Sequence, residues 1–452
     1  MDIFNLLRRT AENYRRPLSI ALFGLGRTNT ALLRELVARG YTDITVRCDG
    51  ALPLPEGVIG KFGKDARRDL REDVMIFSPS VRREGDELIR ARAEGAIFTS
   101  DCELFFDTEP ERVFAVSGSD GKSTTCAMTA RLLDTRYGGV RPSCNFGVPF
   151  AELPACDAYA VELSSFNLQY LSPKVLRGAV TNITPNHLNW HRDMEEYIEA
   201  KLGLLRGASE PITNADDETL RQHIRGEVYG VFSLNKGFGE LKSQIKAQVY
   251  YTADTDSVLR NGQRLIGHDG FRLPGQYNLY NLLCALALTD GHRDEDGTQC
   301  VIDEFRPLPH RATELTDGHG RRYINSSIDT TPARTCATLT ALGTRVGIIL
   351  GGTGKGLPLG RLTQALATYA SAIGLYGEEG KRLLPSLAEA TDCPIACFDR
   401  MTEAVDFVTE SCSDTVLLSP ASTSYGEFSD YEARGRAFEN YIRLKNNAEK
   451  GI

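Results

Sequence analysis

Residues 113–125 read VFAVSGSDGKSTT. The apolar run Val113 to Val116 predicts a strand, Gly118 ends it, and Lys122 opens a segment of helical period that runs to about Asp134. A strand, a glycine-rich turn and a helix N-terminus aim backbone N–H groups and the positive end of the helix dipole at one point, which suits a polyphosphate. Lys122 then reaches the β- and γ-phosphates, and Ser123 or Thr124 puts a hydroxyl on Mg²⁺. The spacing G-x-x-G-K-S-T is shorter than the general phosphate-loop pattern, because Val116 stands where the first glycine belongs. Taken alone, the loop also reads as an ordinary strand-to-helix turn.

Working outward, short apolar or β-branched runs alternate with helical segments from end to end: 18–23, 113–116, 158–163, 178–183, 346–350, 372–376 and 415–418. That alternation predicts an α/β fold on largely parallel sheets. A chain of 452 residues is too long for one ordinary domain. Two polar, proline-bearing junctions, at 107–110 and 306–309, divide it into three: 1–109, 110–305 and 306–452. Between about Gly226 and Leu273 the pattern loosens into short strands and turns, which predicts a small antiparallel addition to the middle domain.

Composition excludes several classes. Hydrophobic residues make up 41% and charged residues 25%, the profile of a globular chain. No run approaches the ~18 to 20 apolar residues that span a bilayer. The start, MDIFNLLRRTAENYRR, places its apolar patch before its basic residues, the reverse of a secretory signal. The expected location is the cytoplasm, with no membrane insertion. A net charge of -8 argues against nucleic acid as a partner. The eleven cysteines show no CxxC pair and read as buried, reduced thiols.

Two further glycine clusters follow strands. In residues 351–356, GGTGKG, Gly356 takes the place of the hydroxyl after Lys355, so that lysine reads as a ligand for another anion or as part of a structural turn. Residues 24–29, GLGRTN, resemble a dinucleotide fingerprint, with Asn29 in place of the small residue that lets the helix pack closely. Glu162 ends the apolar strand of YAVELSSFNLQ, where a carboxylate can hold Mg²⁺ beside a phosphate. In TNITPNHLNWH, His187 and His191 lack the glutamate of a zinc-protease motif. His191 reads as a solvated loop residue, and Lys201, on the following helix, would by default be solvated too.

With these segments in hand, the chain resembles the Mur ligase family. The matches run in family order: SGSDGKSTT, CNFG, ELSSFNLQ, TNITPNHLNWH, YIEAKL, LPGQYNLYNLLCALAL, LPHR, INSSIDTTP, LGGTGKG and LSPASTSYGEFSDYEARGRAF. The resemblance implies a Rossmann-like N-terminal domain for the UDP-linked substrate, a central P-loop ATPase domain with a parallel sheet, and a Rossmann-like C-terminal domain for the amino acid. It implies ATP contacts from Gly118, Ser119, Asp120, Gly121, Lys122, Ser123 and Thr124, with Asn278 and Asn281 on the adenine side. His310 and Arg311 would lie at an interdomain hinge, Arg311 also contacting the nucleotide. Mg²⁺ would be held by Ser123, Glu162, His187 and a carbamylated Lys201, and Lys122, His187 and Lys201 would serve catalysis.

Thr28, Asn145 and Ser164 would contact UDP-N-acetylmuramoyl-L-alanine, and Thr330, Lys355, Ser424 and Tyr431 would hold D-glutamate. The motif SPASTSYGEF separates this pattern from diaminopimelate- and lysine-adding members. The implied activity is an ATP-dependent, ADP-forming ligation in peptidoglycan precursor synthesis, performed by a monomer. Another amide ligase of this type, such as a folylpolyglutamate synthetase, or a non-catalytic homologue are the rival readings. Departures from the family pattern are Cys48, where an acid usually helps bind uridine, with Asp49 adjacent; Ser326 for an aspartate; and Ile328 for a lysine, with Asp329 as a stand-in.

Overall fold

The computed structural model describes residues 2–188, 190–224, 226–273, 275–317, 320–354, 356–411 and 415–449. The chain divides into two compact units, Met1–Phe271 with Tyr280–Glu304, and Arg272–Leu279 with Phe305–Ile452. Three sheets carry them, two in the first unit and one in the second.

The first sheet contains β1 (Ile20–Phe23), β2 (Ile44–Cys48), β3 (Ile59–Phe62), β4 (Val74–Phe77) and β5 (Ile97–Thr99), in the order β3-β2-β1-β4-β5 and parallel throughout. Strands β1 and β4 read IALF and VMIF because both faces are covered, so no polar alternation survives. The order reverses between them, and the crevice at their C-terminal ends is where such sheets bind ligands. Asn29 does not loosen the helix Arg27–Ala38. It is fully buried, and its Nδ2 donates to the carbonyls of Phe23 (3.2 Å) and Gly24 (2.8 Å), so hydrogen bonds do what a small residue would otherwise do by contact.

The second sheet contains β6 (Val113–Ser117), β7 (Pro142–Cys144), β8 (Tyr159–Glu162), β9 (Val175–Val180), β10 (Ala208–Asn214), β11 (Val228–Ser233), β12 (Ala247–Ala253), β13 (Ser257–Arg260) and β14 (Gln263–Gly267). Its order is β14-β13-β12-β11-β10-β9-β6-β8-β7. The last three strands form the expected antiparallel addition. Asn261 and Gly262, with φ of 52° and 78°, join β13 to β14 in the two-residue turn that suits a twisted hairpin. One apolar cluster runs through both sheets of this unit, with Phe105 stacked on Phe150 at 4.0 Å between ring centroids.

The second unit carries β15 (Thr313–Thr316), β16 (Arg322–Asn325), β17 (Val346–Gly351), β18 (Ala370–Tyr376), β19 (Ile395–Phe398) and β20 (Thr415–Leu418), in the order β15-β16-β20-β17-β18-β19. Only β15 pairs antiparallel. Alternate residues of the central strands feed a core on each face: Ile348, Leu350, Ile373 and Leu417 on one, Ile349, Val416 and Leu418 on the other.

Two expectations need correction. The strand expected at 178–183 is β9, which begins at Val175, because the buried Arg177 interrupts its apolar run while pairing with Glu210 at 2.6 Å. All ten described cysteines are free, but only Cys102, Cys126, Cys144 and Cys284 are buried; the other six lie half-exposed.

Candidate active site

The phosphate loop follows β6 and caps the helix Lys122–Tyr137. Gly118 and Gly121 take φ of 142° and 83°, and a Cβ at either would collide, with Thr181 Oγ1 and Asn281 Oδ1 respectively. Glycine is therefore required twice, by backbone angle and by space. Neighbouring strand ends hold the loop rigid. Asn182 accepts from the Ser119 N–H through its carbonyl (2.8 Å) and from the Asp120 N–H through Oδ1 (2.9 Å). Ser119 Oγ lies 2.8 Å from the Tyr197 hydroxyl and accepts from the Thr184 N–H at 2.9 Å.

Two lysines converge on one backbone oxygen. Lys122 Nζ donates to Gly118 O and Ser119 O, each at 3.0 Å. Lys201 Nζ donates to the same Gly118 O at 2.6 Å, from the helix Met194–Gly207. Lys201 is only 1% exposed, so the solvated reading fails. Burial pushes its ammonium pKa well below the ordinary lysine value, and the Lys122 charge pushes it further, against Asp120 and Glu162.

Glu162 ends β8 at 2% exposure. Its Oε1 accepts from Asn145 Nδ2 at 3.1 Å, whereas Oε2 has no hydrogen-bond partner. A buried carboxylate oxygen left unpaired is costly, and a cation would satisfy it. Asn145 itself is exposed, and its loop is tied to the first sheet by Arg27, which donates to Cys144 O at 3.0 Å and Asn145 O at 2.9 Å.

The remaining expected residues fall as follows. Ser123 and Thr124 are buried in the first turn of the loop helix, and Thr28 is buried in the first turn of its own. Ser164 caps the short helix Ser165–Leu168, its hydroxyl 2.5 Å from Asn167 Oδ1. His187 is half-buried with φ of 57°, its ring edge-on to Phe166 at 4.9 Å. His191 is 2% exposed rather than solvated, its Nε2 2.9 Å from Ser165 Oγ, and burial lowers its pKa. Asn281 lies against the phosphate loop, 3.3 Å from Thr125 Oγ1. Asn278, Arg311, Thr330, Ser424 and Tyr431 belong to the second unit, and Lys355 lies outside the described residues. There His310 is buried, with Nδ1 2.9 Å from Asn325 Nδ2. Asp329 is buried too, its Oδ2 accepting from Ser419 Oγ (2.7 Å) and Thr338 Oγ1 (2.8 Å), which gives it a structural task.

Sequence reasoning missed Tyr197 and Asn182 as supports of the loop. A polar run, TNIT, directly after an apolar strand was the available signal for Asn182; nothing local marks Tyr197.

The Mur ligase middle-domain model matches residues 116–289. The UDP-N-acetylmuramoylalanine--D-glutamate ligase of Nitrosococcus oceani is 30% identical over 440 residues, covering 93% of this chain and 96% of that one. The chain belongs to the Mur ligase family. The enzyme of the same name from Acetivibrio thermocellus is 29% identical over 453 residues, covering 94% of this Mur ligase and 96% of its own length. In fold, this Mur ligase is like the UDP-N-acetylmuramate-alanine ligase of Thermotoga maritima, with a TM-score of 0.66 at 21% identity over 95% of this chain and 100% of that one. The pseudomurein peptide ligase type C of Methanothermus fervidus gives 0.58 at 17% identity, over 95% and 100%. Among the described residues of this Mur ligase, no three His, Cys, Asp or Glu side chains gather as a metal cage. The expected Mg²⁺ set differs in kind, since it includes a serine hydroxyl and a modified lysine.

Proposed function

We propose that this Mur ligase joins D-glutamate to UDP-N-acetylmuramoyl-L-alanine, activating the L-alanyl carboxylate with ATP as an acyl phosphate. The observation that carries the reading is the meeting of Lys122 and the buried Lys201 on one phosphate-loop carbonyl, in a unit where Glu162 keeps an unpaired buried oxygen. A carboxylate is a poor electrophile, so amide formation in water needs an activated leaving group. The loop N–H groups and Lys122 hold the transferring phosphoryl group and offset its growing charge, which is most of what a protein contributes to such a step. Mg²⁺, when bound, adds charge neutralisation and orientation.

Ser123, Glu162, His187 and Lys201 as a carbamate would hold that ion. The Glu162 oxygen and the weakly basic Lys201 amine fit the assignment, because a neutral amine adds to CO₂ and thereby becomes an oxygen ligand. Asn278, Asn281 and Arg311 contact the nucleotide. Thr28, Asn145 and Ser164 face the UDP-linked substrate in residues 1–109 and 110–305, and Thr330, Lys355, Ser424 and Tyr431 take the amino acid in 306–452. The amine attacks the acyl carbon, and phosphate leaves from the tetrahedral intermediate. We place the enzyme in the cytoplasm as a monomer; no helix among the described residues is long and apolar enough to cross a membrane.

Phosphate release with UDP-N-acetylmuramoyl-L-alanine, ATP and a panel of D-glutamate, L-glutamate, diaminopimelate, lysine and alanine tests the acceptor. Turnover should require D-glutamate, and Lys355→Ala should lower its use about ten- to a hundredfold, as expected for loss of a charge-assisted contact. Preference for another acceptor would contradict the D-glutamate assignment.

A further inference from the structure

The loop after β4 meets the turn that carries His187. Ser78 and Val81 lie over the glycine loop after β1, where a Cβ on Gly24 would meet Val81 Cγ2 at 2.9 Å and Ser78 Cβ at 3.2 Å. Residues 78–81 therefore wall the crevice at the C-terminal ends of β1 and β4. The same loop grips Trp190, the one tryptophan of the sequence. The indole Nε1 donates to Ser80 O at 3.1 Å, and the Arg82 guanidinium lies 4.7 Å from the centroid of the indole ring. Arg82 Nη2 also donates to Trp190 O and, at 3.1 Å, to Glu196 Oε2 in the first turn of the helix Met194–Gly207.

His187 needs such support. Its φ of 57° is a conformation that a bulky side chain holds only where its neighbours fix it. Its carbonyl accepts from the N–H groups of Trp190 and His191, each at 2.9 Å, which closes the turn. His191 is pinned in its turn by Ser165, and Trp190 by Ser80 and Arg82. Phe166 packs on the rings of His187 at 4.9 Å and Trp190 at 4.4 Å, but an apolar contact is non-directional and sets no register. Glu196 does not depend on Arg82, because it also accepts from the Arg192 N–H (2.8 Å), Arg192 Nε (2.7 Å) and Gln169 Nε2 (3.2 Å). Deleting the guanidinium thus loosens the turn without stranding a buried carboxylate.

We propose that Arg82 and Trp190 are positioning residues for the ligation: they hold the His187 turn and the wall of the first crevice in one register, so that a UDP-linked substrate seated in that crevice presents its carboxylate in line with His187. The inference rests on the ligase reading above and names what sets the spacing between two of its subsites. Neither residue has to touch a substrate, because a misplacement of about 1 Å at the reacting groups is enough to cost about a hundredfold in rate.

The test compares Arg82→Ala and Trp190→Phe with the parent, measuring kcat, the KM of each substrate and thermal unfolding. Both variants should lower kcat about tenfold or more and raise KM for UDP-N-acetylmuramoyl-L-alanine about fivefold or more, while KM for D-glutamate stays within about twofold. A packing role alone would lower the unfolding midpoint and the active fraction and leave every KM in place. Trp190 emission gives a readout without turnover. With a non-hydrolysable ATP analogue present and D-glutamate absent, titration with UDP-N-acetylmuramoyl-L-alanine should shift the parent's emission saturably, with calorimetry alongside to report binding. In Arg82→Ala the same bound fraction should give less than about half that shift, because the ring is no longer tied to the crevice wall. The parent titration stands even if a variant does not fold. An unchanged KM for UDP-N-acetylmuramoyl-L-alanine in either variant, a full emission shift in Arg82→Ala, or a parent whose emission ignores a substrate that calorimetry shows to be bound overturns the proposal. A parent that does not bind UDP-N-acetylmuramoyl-L-alanine at all defeats the ligase reading first, and this inference with it.

Discussion

Lys122→Ala should lower ligation by about a hundred- to a thousandfold while leaving the fold intact. The ammonium lies over the phosphate loop, bonded to Gly118 O and Ser119 O at 3.0 Å, and serves no apolar core. Its removal deletes the charge that meets the transferring phosphoryl group. The loop itself is fixed from elsewhere, by Asn182, Thr184 and Tyr197, so its shape should persist. The thermal unfolding midpoint should therefore move little. Turnover and unfolding are measured on the same preparation, and activity within a few-fold of the parent would remove Lys122 from the phosphate site.

Lys201→Ala should be nearly as damaging, by about a hundredfold, and for a different reason. A buried ammonium beside Lys122 is held in a poor environment for a cation, and its lowered pKa favours the neutral amine, the form that adds to CO₂. Addition of the neutral amine forms an N–C bond, releases one proton and leaves a carboxylate-like anion in the unit where Glu162 keeps an unpaired oxygen. Acetate or formate should partly restore the alanine variant by occupying the vacated volume with an oxygen anion. Carbon-13 NMR after addition of labelled bicarbonate gives a readout independent of turnover: a carbamate resonance in the parent that Lys201→Ala lacks. A fully active variant, or identical spectra, would return Lys201 to a packing role.

Much of the first site was legible because its geometry is local. A strand, two glycines, a lysine and the hydroxyl residues Ser123 and Thr124 directly after it, all within thirteen consecutive positions, leave little freedom for the backbone, and β6 with its helix lies where VFAVSGSDGKSTT places it. Glu162 was legible for the same reason, as the last residue of an apolar strand. Burial of His191 was not. Its environment is built from Ser165, Trp190, Tyr197 and Glu196, and no pattern in NHLNWH foretells that tertiary enclosure. Asn29 shows the opposite error: a misfit to a motif based on small residues becomes, in three dimensions, a donor to the carbonyls of Phe23 and Gly24 at the end of β1.

The most direct test follows an oxygen atom. UDP-N-acetylmuramoyl-L-alanine labelled with heavy oxygen in its terminal carboxylate is incubated with the enzyme, ATP and D-glutamate, and the released inorganic phosphate is analysed by mass spectrometry. Activation as an acyl phosphate must carry one carboxylate oxygen into the phosphate, so each turnover should transfer one label. Unlabelled phosphate released alongside amide product would contradict the mechanism.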